Sequence, residues 1–370
     1  MFFLLPLAAL PAQRAIQLTL PEVVEVARDD SPAARLAETR QTNNYWRYRS
    51  YLADFKPQVT FDAVLPNLNR SIEGITLPDG REDFISRSLM RNSVDLSIAQ
   101  PIALTGGSVF VFSGLRRLDV FKSELSDGSV SYLSTPVSVG ITQPLRTFNE
   151  LKWDRRIEPL RYQEQQRVYN ESREEAATRA ADLFFDLLIA QINLRAAQTN
   201  KINADTLYAI SQGRFSVGRI AETDLLQIEL SVMNANSALA QAALGVQRAN
   251  EELRAYLGIT DDVEFDLVTP EEIPEFAVDP EEALRYAQQY RSEVLGFERR
   301  FQEAASDLDR AVKSNGVGVN LQAEFGLNGT SQEFDQAYQG LLDQQVVTLG
   351  IQVPIADFGK AKSRIEVARS

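Results

Sequence analysis

Residues 138–145 read Ser-Val-Gly-Ile-Thr-Gln-Pro-Leu, and residues 348–355 read Thr-Leu-Gly-Ile-Gln-Val-Pro-Ile. Each stretch alternates apolar and polar positions, meets a proline, and leads into sequence of helical character. Working outward, Val59-Thr-Phe-Asp-Ala63 returns as Val319-Asn-Leu-Gln-Ala323, and Ala27 to Ser31 faces Ala287 to Arg291. The chain is written twice: a helix, two strands and a helix, in tandem.

Alternation sets the fold class. Val317, Val319, Leu321, Ala323, Phe325 and Leu327 fall on one face of an extended segment. Gly318, Asn320, Gln322, Glu324, Gly326 and Asn328 fall on the other. A period of two sustained that far is incompatible with a helix. Val347, Leu349 and Ile351 repeat it, as do Val59, Phe61 and Ala63, and Val137, Val139 and Ile141. Two settings produce such ribbons. A soluble sandwich buries the apolar face against a second sheet; a membrane barrel turns it to lipid and the polar face to a wet lumen.

Helical segments flank the strands. Pro21 to Asp29 is amphipathic, and Ser31-Pro32 reads as N-cap and first-turn proline of a helix to about Phe55. Asp279-Pro280 opens the second copy in the same way, with helical territory to about Lys313. After Pro144 a helix of unusual length is expected, from about Phe148 to Gln212. Its stripe is Ala176, Ala180, Leu183, Leu187, Ala190, Leu194, Ala197, Lys201, Ala204 and Tyr208. A turn with Gly213 and Gly218 follows, and the return arm carries Leu225, Ile228, Val232, Ala235, Leu239, Ala242, Val246, Ala249, Leu253 and Tyr256. Steps of three and four sustained this long indicate a coiled-coil hairpin with an outgoing arm of about 95 Å. Pro144 and Pro354 mark the two strand–helix junctions.

The copies differ. The upstream echo is offset by about 260 residues and the downstream echo by about 210, so the first copy holds about 50 extra residues between its strands. Within about 67–136, Val94, Leu96 and Ile98 alternate with polar neighbours, and Thr105-Gly106-Gly107 reads as a turn before Val109 to Phe112: an inserted hairpin. By repeat logic the second copy is about 97 residues shorter at its end, as in a fragment. The expected organisation is a signal peptide over 1–15, a first repeat over 16–257 with its hairpin at 148–257, a linker over 258–279 and an incomplete second repeat over 280–370.

Composition excludes much. The chain has 370 residues, no cysteine and no histidine. Disulfides, a Ser-His-Asp triad and thiolate or imidazole metal sites are therefore impossible. A net charge of −13 argues against nucleic acid. Asp29-Asp30 and Asp261-Asp262 suit helix ends and turns better than metal or acid–base work, and Gly106-Gly107 lacks a phosphate-loop pattern. No catalytic, cofactor-binding or metal-binding residue is assigned. No segment is long and apolar enough for a spanning helix, so any membrane crossing falls to strands.

The run Phe184-Phe185-Asp186-Leu187-Leu188-Ile189-Ala190-Gln191-Ile192-Asn193-Leu194, the run Gly213 to Leu226 and the Gly-Ile-x-x-Pro strand ends together resemble the TolC family of bacterial outer-membrane efflux proteins. The resemblance covers about Leu18 to the last residue; the inserted hairpin, the uncharged start and the missing C-terminal hairpin depart from it. It implies an α+β membrane protein in which a homotrimer shares one barrel, four core strands per protomer and twelve in all, with coiled-coil hairpins in the periplasm. The implied role is passive export, with no cofactor, in series with an inner-membrane transporter and a periplasmic adaptor protein, and with outer-membrane lipid around the barrel. It places the adaptor-facing tip at Phe215, Val217, Gly218, Arg219, Ile220, Thr223, Asp224 and Leu225, where Thr223 is the expected cap of the returning helix. The polar strand residues Asp62, Gln322, Glu324, Thr348 and Gln352 are expected to face the lumen. The alternatives are a periplasmic adaptor or a soluble coiled-coil scaffold protein. An adaptor presents one hairpin flanked by small β domains, whereas this chain duplicates strands and helices together.

Overall fold

The computed structural model describes residues 14–76, 80–122, 127–271 and 275–370. The residues 1–13, which hold most of the expected signal peptide, lie outside them. The chain divides into two units. One holds residues up to Asn44 with Glu164–Val294; the other holds Tyr45–Gln163 with Leu295–Ser370.

The element order repeats as the sequence implies. Strand β1 (Arg14–Leu18) precedes helices α1 (Leu20–Asp29) and α2 (Pro32–Asp54). Strands β2 (Gln58–Thr76), β3 (Glu82–Ile102), β4 (Gly107–Val120) and β5 (Ser129–Pro144) follow. Then come α3 (Glu150–Ser216) and α4 (Glu222–Leu257), the two arms of the helical hairpin, and strand β6 (Val263–Leu267). The second copy is α5 (Pro280–Tyr290), α6 (Ser292–Ser314), β7 (Gly318–Ser331), β8 (Leu342–Gln352) and α7 (Lys360–Arg369). Helices α2 and α6 are both 23 residues long and start 260 positions apart, so the duplication is preserved residue for residue up to the first strand of each copy.

The helix starts follow their capping chemistry. The Ala34 N–H donates to Ser31 Oγ at 3.1 Å, and the Glu281 N–H donates to Asp279 Oδ1 at 2.9 Å. Each side chain satisfies a backbone donor that the first turn leaves orphaned.

The first unit has one apolar core. Val23 and Ala27 of α1 meet Ala180, Leu183, Phe184, Leu187 and Leu188 of α3, Leu253 and Leu257 of α4, and Val263, Phe265 and Leu267 of β6. Ala180, Leu183, Leu187 and Leu253 are positions of the expected stripes, and Phe184, Leu188 and Leu257 add a second row beside them. Toward the tip the stripe residues Ala190, Leu194, Ala197, Ala204 and Tyr208 are half-buried while their neighbours are mostly exposed. Lys201, the one break in the stripe, is half-buried and pairs with Asp205 one turn on.

Strand β6 falls in the segment read as a linker. It pairs in parallel with β1, a strand that begins at Arg14, inside the segment read as signal peptide. The other edge of β6 is held by side chains. The Asn250 amide donates to Val263 O at 3.1 Å and accepts from the Phe265 N–H at 2.9 Å. Gln191 donates to Phe265 O at 2.6 Å and accepts from the Leu267 N–H at 3.4 Å. Buried backbone groups need such partners, and an edge with its groups occupied cannot recruit another strand.

The second unit is built on one antiparallel sheet in the order β2-β3-β4-β5-β7-β8. The four core strands are present. The extra segment is the hairpin β3–β4, and it lies in the plane of the sheet between β2 and β5. Strands β2 and β5 run beyond the core pattern, so the insertion itself is narrower than 67–136.

Candidate functional site

The sheet register fixes which residues share a face, because directly opposed residues in an antiparallel pair point the same way. One row runs Val59, Ile98, Val111, Val139, Phe325 across five strands. Its neighbours Ile141 and Ala323 lead on to Val347 of β8. The next row on the opposite face runs Thr60, Ser97, Phe112, Ser138, Gly326, Gln344. Asp62, Gln322, Glu324, Thr348 and Gln352 all share this second face, as expected from the alternation.

No second sheet covers the apolar face among the described residues. Phe61 is 67% exposed, Phe325 53% and Ile351 62%. A row of apolar side chains left this open in water would cost on the order of 1–2 kcal/mol per residue relative to burial. The polar face forms a groove of about 630 Å³ lined by Asp95, Ser97, Phe110, Phe112, Arg116 and Glu324, among others. Ser138 is fully buried and donates to Glu324 Oε1 at 2.6 Å. Gln344, which also faces Glu324, accepts from Asn328 at 3.2 Å. Glu324 is thus held in a polar side-chain network rather than left as a loose surface charge.

The sequence pattern did not single out Asp95, Ser138, Phe110, Phe112 or Arg116. The run Val109-Phe110-Val111-Phe112 is apolar on both faces, so the period-two contrast vanishes there. Phe110 lies over Gly140, where an added Cβ would stand 2.3 Å from the ring. Phe112 lies against Gly114. The two rings therefore lie over glycine positions of the groove floor.

Aromatic residues collect near both ends of the sheet. At the β7–β8 turn Phe334 meets Tyr132 edge-on at 6.0 Å and Tyr338 at 5.7 Å. At the helical end Tyr48 stacks on Tyr162 at 4.5 Å, and Tyr51 meets Phe55 at 5.0 Å. The Tyr48–Tyr162 stack joins α2 to α3, whereas the Tyr132–Phe334–Tyr338 group belongs to the sheet itself. No helix among the described residues is long and apolar enough to cross a membrane.

The strand–helix junctions fall at the expected prolines. Pro144 is the last residue of β5, and Pro354 lies two residues beyond β8.

The hairpin tip belongs to the first unit. Gly218 has φ +70°, and the Gly218 and Arg219 N–H groups close α3 on Phe215 O and Arg214 O at 2.8 and 2.9 Å. The cap of α4 is Ala221, with no side-chain cap bond, and Thr223 is already inside the helix. The expectation that Thr223 caps is thereby corrected: the glycine turn finishes so quickly that the helix begins two residues earlier. Glu222 and Asp224 both sit in its first turn, where the positive helix end favours them. Phe215 and Val217 are exposed, while Ile220 and Leu225 are half-buried.

The chain thus combines a two-faced antiparallel sheet with a long alanine-seamed helical hairpin. Residues 120–259 match the family model described as "Outer membrane efflux protein", a stretch that spans β5, α3 and α4. No curated protein gives a significant match. Among solved structures the chain is similar to a membrane protein from Pseudomonas aeruginosa (16% identity, TM-score 0.60, 95% of this chain and 68% of that one). It is also similar to the CmeC outer membrane channel of Campylobacter jejuni (14%, 0.63, 95% and 64%). A third is the open state of the Neisseria gonorrhoeae MtrE outer membrane channel (15%, 0.57, 95% and 66%). The chain thus spans about two thirds of the length of these proteins. The match to the efflux-protein family thus covers residues 120–259, and over 95% of its length the chain shares the fold of these channel proteins.

Proposed function

We propose that three copies of this protein close their sheets into one barrel and form the passive outer-membrane conduit of an export assembly driven by an inner-membrane transporter. The observation that carries this reading is the sheet, apolar on one face and polar on the other, which among the described residues has no second sheet over it and no strand paired to the outer edges of β2 and β8. Free edges cannot persist in hydrocarbon, where each unpaired backbone group costs several kcal/mol. The strands alternate in direction, so β8 of one copy runs antiparallel to β2 of the next, as head-to-tail closure requires. The exposed apolar face weighs against the soluble-scaffold reading, which needs a covering sheet.

The lumen is then lined by Asp62, Gln322, Glu324, Thr348 and Gln352. The tip from Phe215 to Leu225 is the surface proposed to meet a periplasmic adaptor, with exposed Phe215 and Val217 as its apolar anchors and Arg219 beside them. The test is reconstitution of the full-length protein in planar bilayers. Discrete conductance steps from a detergent-stable trimer are expected; recovery as a monomer in osmotic-shock fluid would refute the reading.

A further inference from the structure

Resting on the trimeric reading above, we propose that the hairpin β3–β4 is a load-sharing part of the barrel wall. Three copies then close eighteen strands rather than twelve, six from each, and the outer mouth admits correspondingly larger solutes.

The second copy shows what an uninterrupted strand pair looks like: β7 and β8 are direct neighbours from Gly318↔Gln352 to Asn328↔Leu342. Their counterparts β2 and β5 do not touch. The ladder between them runs instead through β3 and β4, which pair with each other from Leu89↔Val120 to Ile102↔Gly107. At 21 and 14 residues, both inserted strands exceed the nine to eleven or so that a tilted strand needs to cross a bilayer.

Both faces of the hairpin match the wall. Val94, Leu96 and Ile98 oppose Ala63, Phe61 and Val59, and Val109 and Val111 oppose Ile141 and Val139; within the hairpin Val94 meets Leu115 and Ile98 meets Val111, so the apolar band continues across it with Ser113 and Gln100 as its polar positions. Asp95 and Ser97 continue the polar face directly opposite Asp62 and Thr60. A plug or a flap over the mouth would be free of the ladder and would not repeat its two-faced pattern.

The closed end of the hairpin is fixed at the base of the sheet. Asn149, just ahead of α3, donates to Ala103 O and Leu104 O at 3.0 and 3.2 Å. Gln143 of β5 donates to Thr105 O at 3.1 Å, and Gln100 of β3 donates to Phe55 O at 2.9 Å, at the end of α2. Two added strands also preserve the alternation that lets β8 meet the next β2 antiparallel; an odd number would not. Barrel diameter grows roughly linearly with strand number, so the wall is about 1.5-fold wider than a twelve-stranded one.

The experiment exploits a chain without cysteine. In full-length protein reconstituted in liposomes, single cysteines are probed with a membrane-impermeant maleimide. Leu96→Cys and Val111→Cys report the apolar face of the hairpin, and Ser97→Cys its polar face. Val139→Cys, Phe325→Cys and Thr348→Cys are the controls on core strands. Polar-face sites should label at least about tenfold faster than apolar-face sites, in hairpin and core alike. If core apolar sites are protected while Leu96→Cys and Val111→Cys label rapidly, the hairpin lies outside the wall and the proposal fails with the channel reading intact. Rapid labelling at Val139→Cys and Phe325→Cys as well would overturn both. As a second measurement, deletion of residues 77–128 joins β2 to β5 directly, and electron-microscopic projections should show the barrel narrowed to about two thirds of its diameter. An unchanged diameter would overturn the proposal independently.

Discussion

Helices α1 and α5 are the same element written twice, in opposite surroundings. Both begin with a capped proline turn and both carry a strong apolar stripe. In α1 that stripe is consumed: Val23 and Ala27 are 0% exposed against α3, α4 and β6. In α5 no residue is buried, and Leu284 is 59% exposed. Amphipathicity is therefore a property of the sequence, whereas stabilisation comes from what the stripe meets. The first copy is rooted by its core, whereas the described residues up to 370 hold no second long hairpin for the stripe of α5 to meet.

Substitution should separate the two most sharply at Val23. Val23→Asp places an unpaired carboxylate in a closed core and should cost at least about 3 kcal/mol, enough to abolish a cooperative transition of the first unit. The equivalent change 260 residues on, Ala283→Asp, lies on an exposed face and should stay within about 0.5 kcal/mol. Urea denaturation of both variants in the same detergent makes the comparison; equal losses would show that α5 is as deeply rooted as α1.

The second largest effect is expected at the latch that holds β6 to α3 and α4. Asn250→Leu leaves Val263 O and the Phe265 N–H without partners, at about 1–3 kcal/mol. Hydrogen exchange reads it locally: the Phe265 amide should lose protection in Asn250→Leu, and the Leu267 amide in Gln191→Leu.

Glycines at the two ends of α4 sharpen the contrast between rooted and free. Gly258 has φ +73°, and an added Cβ would stand 2.9 Å from Pro32 Cδ. Gly218 has a similar φ but open space around it. Gly258→Ala should therefore cost about 2–3 kcal/mol and Gly218→Ala about 1–2, the difference being the contact with Pro32. Comparable thermal shifts for the two would mean that the helix root yields as easily as the tip.

Smallest is the pH response that distinguishes α2 from α6, the next pair of copies. Helix α2 meets α3 through the Tyr48–Tyr162 stack, while α6 uses charge. Arg161 pairs with Glu303 at 2.7 Å, and the Trp153 ring N–H donates to Asp309 Oδ2 at 2.9 Å. Burial disfavours the charge on Glu303, but hydrogen bonds from Arg161 and Arg299 outweigh it and hold its pKa below 4.5. Asp309 is likewise lowered below 3.8: burial opposes, and the bonds from Trp153 and Lys313 prevail. Depressed carboxylates stabilise above their unfolded pKa values and lose that contribution as pH falls through the folded ones. Asp154 has the opposite sign, raised by burial and then by Glu150 and Glu158, so its ionised form costs stability that acidification restores. Contacts of α6 should loosen below about pH 4.5 while those of α2 hold, and Glu303→Gln should flatten that acid limb. Tryptophan fluorescence, with Trp153 as the α6 reporter and Trp46→Phe removing the other indole, makes the measurement.

Much of this was legible in the sequence because it rests on periodicity and caps. The stripes on α3 and α4, the Ser31 and Asp279 caps and the shared face of Asp62 with Glu324 needed only local spacing. What was not legible depends on partners far along the chain. The alternation over Val263 to Val268 reads as a strand within the linker, but its pairing could not be read, because its partner lies some 250 residues away and its other edge is satisfied by two side-chain amides. The placement of β3–β4 was equally hidden, since a hairpin that joins a sheet and one that leaves it carry the same alternation. Thr223 misled because capping preference was weighed without knowing how short the glycine turn would be.

Gln191 stands on α3 and Asn250 on α4, and both grip the same short strand. The two rods are therefore pinned together at that level like blades at a scissor rivet. Any splaying or twisting of one against the other must happen on the tip side of the rivet, where the seam is only half-closed.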